Sequence, residues 1–193
     1  MTTDVVPLGE EWEKLKNKII YLQGDLSPFE VTFLDRDSFK QFSENLRGAV
    51  EAYENIYITG YFSETPRETL EKIIRSKHNV RIICPEFQRQ TQRDERNLQA
   101  LRKLAGAGAE VRFNNRLHAR FLVAHNLARD APLRGLLVIG SFDFNTECLG
   151  RERYDAGIKT WHPDLVKSAV SLFEQIWNEP ESVPLNEKYP KER

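Results

Sequence analysis

The chain of 193 residues has few of the residues that build disulfide-linked or membrane-spanning proteins. It contains only two cysteines, Cys84 and Cys148, which cannot form a disulfide framework. Its apolar runs are short, residues 136–139 being typical, so we expect no stable insertion into a membrane. The first 15 residues lack a basic start followed by an apolar stretch, so we expect no secretory signal. Both cysteines lie among apolar residues, and we expect buried free thiols in a cytoplasmic protein.

An excess of charge of one sign is also absent from the chain as a whole. The 28 basic and 29 acidic residues give a net charge of −1, which excludes a uniformly basic protein that coats nucleic acid. The distribution is uneven, because residues 75–134 carry 13 basic and 5 acidic residues, and 11 of those cations are arginines. Arginine favours bidentate contact with phosphate. A solvated surface that aids solubility explains such a patch equally well.

Apolar residues make up 40% of the chain, enough for one sizeable core. Their spacing predicts alternating strands and helices. The predicted strands are 31–34, 56–61, 80–84, 111–114, 117–124, 136–141 and 156–160, and the predicted helices are 10–22, 38–53, a segment that begins near 65, 94–105 and 163–177. This alternation predicts an α/β layered fold with a central mixed, largely parallel β-sheet flanked by helices. We predict an N-terminal helical extension (1–29), one domain (30–178) and a C-terminal tail (179–193).

One cluster of residues is suited to phosphate chemistry. It consists of LHARFLVAH at 117–125 and LLVIGSFDFN at 136–145. His118 and Arg120 are two residues apart on a predicted strand, so both side chains point to the same side. Arg120 can neutralise phosphate oxygens, and His118 can attack phosphorus or donate a proton. His78, at a predicted turn, and His162, beside Pro163, are interpreted as surface histidines. The four histidines and two cysteines have no spacing typical of zinc ligands, so we expect no metal site.

The cluster resembles the motif of the phospholipase D superfamily, which is His-x-Lys, four residues, Asp, and then Gly-Ser-x-Asn. His118 and the Gly-Ser step that ends at Ser141 match it. Arg120 stands at the position of the lysine and keeps the positive charge. The order of the predicted elements over residues 30–178 also matches these domains, so the resemblance implies a phospholipase D-like fold.

Further departures from the motif leave the activity open. His125 stands where the family has aspartate, and Asp143 stands where it has asparagine, with Asn145 two residues later. A carboxylate at 143 near a phosphate is unfavourable unless Asn145 takes over the contact. Asp155, in RYDAGI, matches an acidic residue that follows the Gly-Ser strand in the family.

The resemblance implies a two-step cleavage of a phosphodiester without a metal or any other cofactor. His118 would form a phosphohistidine, a second histidine would protonate the leaving group, and Asp155 would fix the tautomer of the imidazole. Arg120, Ser141 and Asn145 would hold the non-bridging oxygens. Because the chain carries one motif and the family uses two, a homodimer with two copies of His118 across a twofold axis is implied. His125 is a poor second histidine, because an odd spacing places it on the opposite face of one strand.

Nucleic acid is the substrate that the resemblance and the basic segment together favour, since small members of the family with one motif per chain include nucleases. The arginines predicted to bind it are Arg89, Arg93, Arg96, Arg112 and Arg116. Phe87 and Phe113 are predicted to stack on bases. Two alternatives stay open, namely a catalytically weakened module that binds nucleic acid, and a phosphodiesterase that acts on phospholipids or small molecules.

Overall fold

The fold is built on one mixed sheet of eight strands. A computed structural model describes residues 29–34, 52–60, 74–75, 79–87, 91–126, 135–141 and 155–190, with the backbone alone at 29–34, 93 and 155. The strands are β1 (Phe29–Leu34), β2 (Asn55–Thr59), β3 (Asn79–Pro85), β4 (Glu110–Asn114), β5 (Phe121–His125), β6 (Gly135–Gly140), β7 (Asp155–Thr160) and β8 (Val183–Pro184). Their order across the sheet is β1-β7-β6-β5-β2-β3-β4-β8.

The sheet joins a parallel part to an antiparallel part. Strands β2, β3 and β4 are parallel neighbours. Strand β5 pairs antiparallel with β2 on one side and with β6 on the other, and β7 continues the antiparallel part to β1. The layered α/β fold and the mixed sheet confirm the prediction. The parallel pairings are, however, confined to two of the seven neighbouring pairs, so the sheet is more antiparallel than the sequence pattern indicates.

Two long helices of the described residues connect or cover these strands. Helix α1 (Gln92–Ala107) links β3 to β4 and begins with a capping box formed by Thr91 and Asp94. Helix α2 (Pro163–Trp177) follows β7 and has the bounds that the sequence predicts. A third, short helix α3 (Leu185–Lys188) follows β8. None of the helices in the described ranges is long and apolar enough to cross a membrane.

The two faces of the sheet carry separate apolar cores because alternate residues of a strand point to opposite faces. On the side of α1, the core contains Ile56, Ile82 and Leu122 together with Leu101 and Leu104 of the helix. The other core lies under α2, where the Phe173 ring stacks on Tyr57 of β2 with ring centroids 4.5 Å apart. Strands covered on both faces read as continuous apolar runs, which is the pattern of β5 and β6.

The C-terminal segment is part of this packed structure. Strand β8 pairs antiparallel with β4, so it covers an edge of the sheet that would otherwise be open. Leu185 is 4% exposed and belongs to the core on the α1 side. Lys188 forms an ion pair with Glu86 at 2.7 Å. Residues of the predicted C-terminal tail (179–193) therefore pack against the sheet. The predicted helix at 10–22, most of the predicted helix at 38–53 and most of the extension 1–29 lie outside the described residues.

Candidate active site

Three predicted site segments meet at one edge of the sheet. The segment with His118 and Arg120 precedes β5, Ser141 follows β6, and Asp155 is the first residue of β7. Because β5, β6 and β7 are antiparallel neighbours, the start of β5, the end of β6 and the start of β7 lie side by side. The structure therefore brings together residues that are up to 37 positions apart in the sequence.

Arg120 and Ser141 are in direct contact. An Nη1 hydrogen of Arg120 is donated to the carbonyl oxygen of Ser141, with the two heavy atoms 3.1 Å apart. The main chain joins the same two segments, because the Gly140 amide donates to the Arg120 carbonyl oxygen at 3.3 Å. The guanidinium is thus oriented at the end of β6, where the Gly-Ser step leaves the sheet.

Ser141 is tied to the start of β7 by two hydrogen bonds. Its amide donates to the carbonyl oxygen of Ala156 at 3.0 Å, and its hydroxyl oxygen accepts from the Ala156 amide at 3.2 Å. Asp155 is the residue immediately before Ala156, so its main chain lies next to Ser141. Ser141 is itself exposed.

His118 lies on the loop that leads into β5 and its side chain is exposed. Leu117 is buried in the core under α2, and Ala119 packs against the same core. The predicted alternation of apolar and functional side chains therefore exists, although the strand begins at Phe121 rather than at residue 117. One reason for the shorter strand is that the Phe121 amide donates to the buried hydroxyl of Thr59 at 3.0 Å.

Two of the predicted substrate-binding arginines are exposed on this side of the molecule. Since α1 joins two parallel strands, its first turn lies at the same sheet edge as the end of β3. Arg96 is exposed near the start of α1, and the backbone of position 93 lies one turn earlier. Arg116 is exposed in the turn just before His118 and forms a long ion pair with Glu181, 3.7 Å between Nη1 and Oε1.

Arg112 and the two phenylalanines do not lie where the sequence analysis expects them. The Arg112 guanidinium stacks on the Trp177 ring 4.5 Å from its centroid and donates to the Trp177 carbonyl oxygen at 2.6 Å. It therefore anchors the end of α2 on the sheet. Phe113 is fully buried and Phe87 packs against it, so Phe113 cannot stack on a base. The parity of β4 places Arg112 and Phe113 on opposite faces, both of which are covered.

His125 is a core residue and lies at the far end of β5 from His118. It is 1% exposed, and neither ring nitrogen has a hydrogen-bond partner within the described part of the chain. Its ring meets Tyr57 edge to face, with centroids 5.1 Å apart. Burial lowers the pKa of this imidazole, so the ring is neutral near pH 7. Cys84 is likewise buried, as predicted, and burial raises the pKa of its thiol.

The remaining predicted residues lie outside the described ranges: Asp143, Asn145, Arg89, Cys148 and His78. The sequence analysis missed two polar groups that support the site, Thr59 and Asn114. Thr59 bonds both backbone groups of Phe121, accepting from its amide and donating to its carbonyl oxygen. Asn114 shapes the turn before His118. The Asn-Asn pair at 114–115 is a turn signal that could have pointed to Asn114. A threonine in a buried strand gives no such signal.

The fold and the arrangement of this edge define a phospholipase D-like domain, and the comparison with family models agrees. A model described as cardiolipin synthase, PLD-like domain, matches residues 47–177, which is more than half of the chain. The chain therefore belongs to the phospholipase D-like family. No protein from the curated set matches it.

Solved structures with the same fold include Nuc, NucT and a polyphosphate kinase. Nuc from Salmonella typhimurium, titled a phospholipase D family member, has a TM-score of 0.63 at 15% identity over 81% of this chain and 96% of its own. NucT from Helicobacter pylori has a TM-score of 0.58 at 14% identity, over 81% of this chain and 99% of its own. Polyphosphate kinase from Porphyromonas gingivalis has 0.67 at 18%, over 79% of this chain. The chain spans only 26% of that kinase. At these identities the likeness shows the fold alone.

Proposed function

We propose that the protein is a phosphodiesterase that cleaves nucleic acid through a covalent bond to His118. The observation that supports this most directly is the meeting of an exposed imidazole, a guanidinium and the Gly-Ser step at one sheet edge. Family membership supports phosphodiester chemistry in general. Side chains supply the nucleophile and the positive charge in this mechanism, so it needs no cofactor.

In the first step, one ring nitrogen of His118 attacks phosphorus. An N–P bond forms as the bond from phosphorus to the leaving oxygen breaks, and the imidazolium of a second His118 gives its proton to that oxygen. In the second step, the now neutral second imidazole takes a proton from water, whose oxygen attacks phosphorus and releases His118. Arg120, with Ser141 and Asn145, stabilises the charge on the non-bridging oxygens during both steps. Asp155 accepts from the other nitrogen of His118.

The need for a second histidine leads us to include a homodimer in the proposal. Two isoleucines beside the site are exposed in the single chain, which supports a subunit interface at this place. Ile139 and Ile158 are 47% and 43% exposed and face each other across β6 and β7. Ile139 lies two residues before Ser141. A second copy that covers this pair would bury apolar surface and bring its own site edge close to the first.

The basic middle of the chain supports nucleic acid as the substrate. Arg96 and Arg116 are exposed on the side of His118, and Arg89 and Arg93 lie nearby in the sequence. Such a surface tracks a phosphate backbone and binds it in a salt-dependent way. Arg112 does not contribute to it, because the guanidinium is engaged with Trp177. A cytoplasmic location stays a prediction.

A second candidate is a binding module without turnover, which the substitutions at 120, 125 and 143 favour. Incubation of the protein with labelled single- and double-stranded DNA and RNA in EDTA separates the two. A phosphodiesterase of the proposed kind cleaves in EDTA, loses cleavage in His118→Ala and keeps it in the control His162→Gln. Salt-sensitive binding with no cleavage supports the binding module. If the protein neither cleaves nor binds nucleic acid, that result contradicts both candidate functions. Phospholipids and small phosphodiesters then become the substrates to test.

The dimer is tested by sedimentation of Ile139→Asp and Ile158→Asp. These changes place a charge in the apolar pair on an exposed surface, so the monomer should fold as before. If the pair lies in the interface, both variants sediment as monomers and lose cleavage together. If the variants remain dimeric, the interface lies elsewhere. If a monomer cleaves the substrate, the active site is not shared between two chains.

A further inference from the structure

A buried polar network joins the turn before His118 to the C-terminal segment. The side-chain amide of Asn114 donates to the hydroxyl oxygen of Ser182 at 2.9 Å and to Oε2 of Glu179 at 3.2 Å. The Ser182 hydroxyl in turn donates to the carbonyl oxygen of Ile176 at the end of α2. Asn114 is 1% exposed and Ser182 is 4% exposed. Each group has a partner, so the network meets the requirement that buried polar groups be hydrogen-bonded.

The other end of the Asn114 side chain fixes the turn. Its Oδ1 accepts from the Arg116 amide at 2.9 Å, and its main-chain carbonyl oxygen accepts from the Leu117 amide at 3.3 Å. An asparagine that binds the backbone two residues ahead stabilises a specific turn. Ser182 and Glu179 thereby hold the side chain that sets the direction in which the chain leaves β4.

His118 follows this turn at once and lies before the hydrogen-bonded part of β5. The segment 117–120 has no strand assignment, and the cross-strand hydrogen bond at Arg120 comes from the Gly140 amide. The position of the imidazole therefore depends on what holds the segment at its two ends. Thr59 holds the carboxyl end at Phe121, and Asn114 holds the amino end.

We propose that Ser182 is a positioning residue, which acts through Asn114 to set the place of the His118 imidazole. This inference rests on the proposed function of His118. Ser182 lies in the segment that follows the end of the family match at residue 177. The assignment therefore concerns a residue outside the matched part of the chain. It gives the C-terminal segment a role in catalysis besides covering the edge of β4.

The test compares Ser182→Ala with Tyr189→Phe. Ser182→Ala removes one of the two acceptors for the Asn114 amide and the donor to the Ile176 carbonyl oxygen. Tyr189→Phe removes another hydrogen bond of the same segment, from the Phe87 amide to the tyrosine hydroxyl at 3.3 Å, and leaves Asn114 untouched. Cleavage of bis(4-nitrophenyl) phosphate is measured well below both melting temperatures. We expect kcat to fall about tenfold or more in Ser182→Ala with KM nearly unchanged, because small displacements of a reacting group are costly. Tyr189→Phe should keep kcat.

Two readouts do not depend on activity. Amide hydrogen exchange at Arg116 should be faster in Ser182→Ala than in Tyr189→Phe, and the NMR shifts that inorganic phosphate induces at the His118 ring should shrink. If the wild-type protein cleaves no phosphodiester, the proposed function fails while these readouts still decide the inference. Equal kcat, exchange and phosphate response in the two variants would overturn it. If Ser182→Ala does not fold, Glu179→Ala removes the second acceptor of Asn114 and is judged by the same results.

Discussion

Arg120 and Ser141 are joined by a hydrogen bond from the guanidinium to the main-chain carbonyl oxygen, 3.1 Å long. The donor precedes β5 and the acceptor follows β6, so the bond spans the two segments that carry the motif. It uses the planar geometry of arginine, with several N–H groups on one rigid fork. A lysine would bring one compact charge to the same place.

The first prediction concerns this residue. Arg120→Gln keeps a hydrogen-bond donor but removes the charge that would stabilise the phosphate, so the cleavage rate should fall about 100-fold or more. Arg120→Lys keeps the charge and should retain most of the rate. The measurement is kcat/KM for a synthetic phosphodiester in EDTA. Equal losses in the two variants would show that geometry and not charge is what Arg120 supplies.

A second prediction separates two arginines that look alike in the sequence. Arg96 is exposed on α1, so Arg96→Gln should weaken binding to all nucleic-acid sequences and reduce the salt slope of log K by about 1. Arg112 is stacked on Trp177, so Arg112→Gln should lower the melting temperature with a smaller effect on binding. Binding isotherms at several salt concentrations and thermal melts of both variants check this. A larger loss of nucleic-acid binding in Arg112→Gln than in Arg96→Gln would show that Arg112 contacts nucleic acid after all.

The third prediction concerns the pH dependence of stability. Burial lowers the pKa of His125 in the folded protein, whereas the unfolded chain has the ordinary value of about 6.5. The unfolded state therefore binds more protons below that pH, so the free energy of unfolding should decrease as the pH falls from about 6.5. His125→Leu should remove this part of the slope. Urea unfolding between pH 5 and 8 measures the pH dependence of the free energy of unfolding, and the exposed His118→Gln is the control. An unchanged slope in His125→Leu would mean that other groups cause this pH dependence.

A fourth prediction uses two glycines as a matched pair. A Cβ at Gly135 would lie 2.5 Å from a methyl group of Val166 and 2.7 Å from the Ala124 carbonyl oxygen, so Gly135→Ala should destabilise the fold by about 1–3 kcal/mol. A Cβ at Gly106, in α1, meets nothing within 4 Å. Gly106→Ala should stabilise the fold by about 0.5–1 kcal/mol, because alanine favours the helix. Chemical denaturation of both variants gives the two signs, and a neutral Gly135→Ala would mean that α2 can shift away from β6.

Local patterns in the sequence predict most elements but not all of their pairings. Helix Pro163–Trp177 has a proline at its start and a strong apolar period, and it was predicted at its exact bounds. Strand β5 begins at Phe121, whereas the sequence predicts a start at 117. The apolar alternation extends to residues that precede the hydrogen-bonded part of the strand. The predicted strands 117–124, 136–141 and 156–160 have no predicted helix between them, which is typical of antiparallel neighbours. The helix–strand alternation elsewhere in the chain is typical of parallel neighbours, which is why the sequence predicts a largely parallel sheet.

The sequence motif accounts for the residues proposed for the site, and the structure shows where some of them lie. His118, Arg120 and Ser141 were expected from residue types and spacing, and the sheet topology brings their segments together. The hydrogen bond between the side chains of Asn114 and Ser182 joins residues 68 positions apart, and no local sequence pattern in either segment predicts it. Arg112 was predicted to bind nucleic acid because it belongs to the basic segment, whereas here its guanidinium stacks on Trp177 at the end of α2.

The pairing of β1 with β7 has a consequence for how the protein is made. Phe29 lies opposite Thr160, and the connection between β2 and β5 likewise joins residues 55–59 to residues 121–125. During synthesis β1 therefore lacks its neighbour until residues more than a hundred positions later have been made, whereas β2 lacks β5 for 62 to 70 positions. Contacts that distant in sequence slow the search for the native state. A nascent chain halted before residue 155 would lack β7, the strand with which β1 pairs.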